Sequence, residues 1–85
     1  MNKTDEELIQ KYREGNLGCM DKLISRYLSY VRSKARSYFL IGGEQEDLVQ
    51  EGMIGLFKAI RDFDARKNAH FKTFAMLCVS RQLAS

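Results

Sequence analysis

Three phenylalanines, Phe63, Phe71 and Phe74, share a short segment with Arg66, Lys67, His70 and Lys72. Rings interleaved with cations suit single-stranded nucleic acid, because every base can stack on an aromatic face while cations follow the phosphates. The same rings suit a hydrophobic core, where phenylalanine is most often found. Spacing leaves both readings open. A second group, Asp47, Gln50 and Glu51, recurs at i, i+3 and i+4 and so lines one face of a helix. Carboxylates and an amide there can pair with arginines of a partner, or form an ordinary wet face. No nucleophile–base pair, glycine-rich phosphate loop or set of metal ligands is legible, so neither an enzyme nor a cofactor is expected. His70 is the only histidine and reads as a surface residue.

The elements that must position these groups are helical. Thr4-Asp5-Glu6-Glu7 matches a capping box and starts a first helix, with Leu8, Ile9 and Tyr12 as its apolar stripe. Gly15 is expected to end it in a left-handed conformation. Asn16 can cap a second helix over Leu17–Phe39, whose apolar positions include Met20, Leu23, Ile24, Tyr27, Leu28, Val31, Ala35 and Tyr38. Its cations, Arg26, Arg32, Lys34 and Arg36, read as a solubilising face. Leu40-Ile41-Gly42-Gly43 is expected to reverse the chain.

A third helix follows, with Glu44, Glu46 and Asp47 at its positive N-terminal end. Its inward stripe holds Leu48, Val49, Met53, Leu56 and Ile60, with Phe57 divided between core and surface. Gly52 and Gly55 each cost about 1 kcal/mol against alanine in a helix, which suggests the close approach of another helix. After a polar loop, Ala65–His70, a fourth helix starts near Phe71. Phe74, Leu77, Arg81 and Ser85 share its outer face; Ala75, Cys78, Val79 and Gln82 lie on the neighbouring face, read as largely core. No stop signal precedes Ser85, so the chain reads as cut within that helix. The fold class expected is all-α, a small orthogonal bundle of about four helices in one domain, residues 1–85.

Composition agrees. Eighty-five residues with no proline and 45% hydrophobic side chains suit a single thin-cored helical domain. The net charge of +3 is uneven: residues 1–51 hold 8 Lys+Arg against 9 Asp+Glu, and residues 52–85 hold 6 against 2. A basic C-terminal part suggests an anionic partner, nucleic acid first, but a charge of +4 alone suits an ordinary solvated surface at least as well. Cys19 and Cys78, far apart and outside any CxxC pattern, read as thiols in a reducing cytoplasm. No membrane span or signal peptide is legible.

The run Asp47-Leu48-Val49-Gln50-Glu51-Gly52, then Ile54-Gly55-Leu56, Ala59, Asp62-Phe63-Asp64, and Phe71, Thr73, Phe74-Ala75 resembles conserved region two of bacterial RNA polymerase sigma factors. The segments FAMLCVSRQ (74–82) and VRSKARSYFLIG (31–42) are most similar to the sporulation-type sigma-H group of alternative sigma factors. The resemblance runs from about Thr4 to the end of the chain.

The resemblance implies two surfaces. Asp47, Gln50 and Glu51, with Met53 and Phe57, would dock on a coiled coil of the beta-prime subunit of core RNA polymerase. Phe74 would stack on a flipped adenine of the minus-ten element on the non-template strand. Phe63 and Phe71 would wall its pocket, and Arg66, Lys67, Lys72, Leu77 and Arg81 would complete the DNA-binding set. An anti-sigma factor is a further partner the resemblance brings with it, and the expected location is cytoplasmic. Leu77 and Cys78 stand where the primary sigma factors carry two consecutive tryptophans, so duplex wedging should differ. Arg81, not Gln82, holds the register of their base-reading glutamine. The alternative function is a helical protein–protein module that mimics a sigma factor and occupies polymerase without melting DNA; it would need the third helix but not the 71–81 segment.

Overall fold

The computed structural model describes residues 3–39, 44–68 and 70–85. They form four helices: α1 (Asp5–Arg13), α2 (Gly18–Phe39), α3 (Gln45–Asp62) and α4 (Phe71–Ala84). No strand occurs among the described residues, so the all-α expectation is met. The expected reversal at 40–43 lies outside the described residues.

Local sequence sets the ends of α1. The Thr4 hydroxyl accepts the Glu7 N–H at 3.1 Å, and the Glu7 carboxylate accepts the Thr4 N–H at 3.3 Å, completing the capping box. These Thr4 bonds hold the Glu7 carboxyl below its usual range. At the other end Gly15 has φ +108°. Its N–H donates to the Tyr12 carbonyl and that of Asn16 to the Lys11 carbonyl, both at 3.0 Å. That pair of bonds is a Schellman closure, which favours glycine. The second helix begins one residue later than its pattern suggests, with the Asn16 carbonyl accepting the Cys19 N–H at 3.2 Å.

The core is one cluster fed by all four helices: Leu8 and Ile9 from α1; Cys19, Leu23, Tyr27, Val31 and Ala35 from α2; Val49, Leu56, Ala59 and Ile60 from α3; Phe71, Ala75, Val79 and Leu83 from α4. Phe63, just beyond α3, joins it. The α4 contribution repeats every four residues, and Leu83 extends it past the positions the pattern marked. Cys78 and Gln82, read as largely core, are only partly buried, because the buried row runs along 71, 75, 79 and 83.

The two glycines of α3 mark the tightest packing. A Cβ on Gly55 would lie 2.8 Å from the Cys78 carbonyl oxygen and 2.8 Å from the Val79 Cα. Here the backbones of α3 and α4 meet, and no side chain fits between them. A Cβ on Gly52 would lie 2.7 Å from Cγ1 of Val31 in α2.

Candidate nucleic-acid and polymerase interfaces

The segment between α3 and α4 is held from outside by α1. The Arg13 guanidinium donates to the carbonyls of Ile60 at 3.0 Å, Arg61 at 3.2 Å and Phe63 at 2.7 Å. These include orphan carbonyls at the negative end of α3, where a cation is favoured. The Glu6 carboxylate accepts the Phe71 N–H at 2.9 Å, filling the N-terminus of α4, whose own N-cap residue, His70, makes no side-chain cap bond. One short helix thus closes both ends of the 63–71 connection. Asp5 next to Glu6 pairs with Arg26 at 2.9 Å and accepts a hydrogen bond from the Tyr27 hydroxyl. Burial and that bond to Asp5 push the Tyr27 phenol far above its usual pKa.

Four of the aromatic rings form a column. Tyr27 meets Phe71 edge-on at 5.4 Å between centroids, Phe71 meets Phe63 edge-on at 5.4 Å, and Phe63 meets Phe74 at 6.0 Å. Edge-to-face packing is the favoured geometry for such rings. Phe71 is wholly buried and Phe63 is 4% exposed. Neither ring presents a face to solvent; Phe71 backs Phe63, and Phe63 backs Phe74. Phe74 is the ring at the surface end, half-buried against the core.

Phe74 opens into a cleft of about 250 Å³ lined by Lys67, Asn68, His70, Thr73, Phe74 and Leu77. Leu77 is 46% exposed, and Arg81 one turn on is exposed. His70 and Thr73 also border a second open cleft, of about 500 Å³, shared with Thr4, Asp5, Glu6, Arg26 and Lys72. The cations differ in availability. Arg66 is paired with Asp64 at 3.2 Å, which draws the Asp64 carboxyl below its usual range. Lys72 lies 4.3 Å over the Tyr30 ring and 3.2 Å from its hydroxyl. Lys67 is exposed at the rim of the smaller cleft. Both the Arg66 and Lys72 contacts are at the surface, where such partners exchange at little cost.

The second candidate surface is the outer face of α3. Asp47 and Gln50 are exposed and Glu51 is half-buried. Phe57 is 42% exposed and outside the core cluster, and Met53 is half-buried against it. The structure adds Ile54, 43% exposed, one turn beyond Gln50 and Glu51. Ile54 falls outside the inward stripe of α3, and its i+3 and i+4 spacing from Glu51 and Gln50 is the sequence signal that places it on the same face. Among the described residues no group of three or more metal-ligating side chains occurs, and no helix is long and apolar enough to cross a membrane.

Comparison with known proteins agrees with the resemblance. The family described as Sigma-70 region 2 matches residues 23–85. The chain is 56% identical over 79 residues to the RNA polymerase sigma-H factor of Bacillus subtilis, covering 93% of this chain and 36% of that protein. It is 54% identical over 79 residues to the sigma-H factor of Bacillus licheniformis, covering 93% of this chain and 35% of that protein. Against the sigma-C factor of Myxococcus xanthus the identity is 33% over 72 residues, 85% of this chain and 24% of that protein. No solved structure matches. The chain therefore spans about a third of the length of the sigma-H factors it matches. With its four-helix bundle and a family match over most of its length, the chain belongs to the sigma-70 region 2 family.

Proposed function

We propose that this chain is the promoter-recognition domain of an alternative sigma factor of the sigma-H kind. It binds core RNA polymerase and both recognises and melts the minus-ten element. It acts by binding alone, in the cytoplasm, with catalysis left to the polymerase. The α3 face, Asp47, Gln50, Glu51 and Ile54 with the Met53–Phe57 ridge, takes the beta-prime coiled coil, its acids facing partner arginines. An anti-sigma factor is a further partner. The single-stranded non-template strand lies along the cleft at Phe74. Phe63 and Phe71 support the stacking ring from below, Leu77 borders the base, and Lys67, Lys72, Arg66 and Arg81 meet phosphates.

The observation that carries this reading is the placement of Phe74: a partly buried ring at the surface end of the column, backed by buried rings, beside a lysine and an exposed leucine in one cleft. A flipped base costs a few kcal/mol to unstack, and one aromatic stack returns about 1–3 kcal/mol. Stacking together with phosphate contacts can therefore hold the strand open without ATP.

The test is binding of a single-stranded minus-ten oligonucleotide at low salt, where phosphate contacts are strongest, with and without core polymerase. Phe74→Ala should weaken binding by about 1–3 kcal/mol, and Phe74→Tyr should retain it. Equal affinity of wild type and Phe74→Ala, with both folded and bound to polymerase, would leave only a polymerase-binding module.

A further inference from the structure

Gln82 lies on α4, the helix assigned to DNA, yet its side chain is engaged entirely with α3. Its Nε2 donates to the Glu51 carboxylate at 3.4 Å, and its Oε1 accepts from the Lys58 ammonium at 2.8 Å. The orientation of the amide is chemically determined. An ammonium can only donate and a carboxylate can only accept, so the amide oxygen must face Lys58 and its N–H₂ must face Glu51. Lys58 and Glu51 lie two turns apart on the outer side of α3, and Gln82 spans them from the neighbouring helix. The Glu51 carboxylate is left with one oxygen, Oε1, occupied by Gln82.

We propose that Gln82 is a positioning residue of the polymerase surface: it orients the Glu51 carboxylate so that its other oxygen meets a cation of the partner. Lys58 completes the device by fixing which end of the amide faces Glu51. The polymerase surface then spans the α3–α4 seam. A long flexible glutamate loses side-chain entropy when it forms an intermolecular pair. A neighbour that has already limited its rotamers removes part of that cost before binding. The inference rests on the reading of Glu51 as a polymerase contact.

A double-mutant cycle on the 85-residue chain tests it, with affinity for the core RNA polymerase of Bacillus subtilis as the readout. Glu51→Ala should weaken binding, Gln82→Ala should weaken it by about 3-fold when Glu51 is present, and Gln82→Ala should have no effect in the Glu51→Ala background. Gln82→Glu, which sets a carboxylate against Glu51, should weaken binding more than Gln82→Ala does. Unfolding midpoints of all variants, measured in parallel, identify any loss that comes from unfolding. A Gln82→Ala effect that is absent, or equal in both backgrounds, overturns the positioning role while leaving the polymerase surface in place. A folded Glu51→Ala protein that binds as wild type overturns both the surface and the role of Gln82.

Discussion

The Glu6 carboxylate accepts the backbone N–H of Phe71 at 2.9 Å across 65 positions of sequence. An acid from one helix thus caps another, at the end where the dipole favours negative charge. Arg13, two turns along the same helix, does the converse at the end of α3. Loss of a side-chain cap costs about 0.5–2 kcal/mol, and loss of a charged donor to several carbonyls about 1.5–3 kcal/mol. Glu6→Ala and Arg13→Ala should each lower stability within those ranges in urea titrations. Faster hydrogen exchange at Phe71 should accompany the first.

The two glycines of α3 should respond differently to alanine. At Gly55 the new methyl would meet backbone atoms of Cys78 and Val79 at 2.8 Å, so the helices must separate. Overpacking of this kind costs about 1–3 kcal/mol, which outweighs the gain of about 1 kcal/mol in helix propensity. At Gly52 the obstacle is one side-chain methyl of buried Val31 at 2.7 Å, which costs strain in a stiff β-branched side chain but leaves the helix backbones in place. Gly55→Ala should be the more destabilising, as thermal melts of the two variants would show.

The rings should separate by depth. Phe71→Ala removes a wholly buried ring and should cost about 3–5 kcal/mol. Phe74→Ala takes away a half-buried ring at the edge of the same column, so its cost should be well below that of Phe71→Ala. Paired denaturant titrations measure the difference. A Phe74→Ala cost as large as that of Phe71→Ala would assign Phe74 to the core.

Alkaline pH gives an independent probe of Tyr27. Its folded-state pKa is raised by burial and by the hydrogen bond to Asp5, so the folded chain keeps the phenolic proton while the unfolded chain loses it near pH 10. The Tyr27 contribution is therefore complete below about pH 10 and declines as pH rises above it. Stability between about pH 9 and 11 should fall more steeply for wild type than for Tyr27→Phe, with Asp5 still paired to Arg26. Parallel slopes would show that Tyr27 titrates alike in both states.

Local signals in the sequence carried much of the fold. Thr4 and Glu7, Gly15, and the glycines of α3 each have a short-range or steric signature, and each acts as that signature suggests. Long-range polar bonds have none. Nothing in the spacing of Glu6 or Arg13 indicates a partner tens of residues away, because these side chains answer a backbone end that exists only after folding. Aromatic residues pose a third problem. Phe63, Phe71 and Phe74 look alike in sequence, and only the column through Tyr27 separates the two buried rings from the one at the cleft. Gln82 could be placed near the core by periodicity, but not against Glu51 and Lys58, since that pairing depends on where α3 and α4 cross.

That crossing has a mechanical consequence. With backbone against backbone at Gly55, α3 and α4 have no compressible side-chain layer at that crossing point. The faces proposed for polymerase and for the strand then belong to one stiff wedge. A displacement imposed on the outer side of α3 meets α4 at a hard contact, so the spacing between the proposed polymerase face and the proposed strand face is governed by the seam of the two helices.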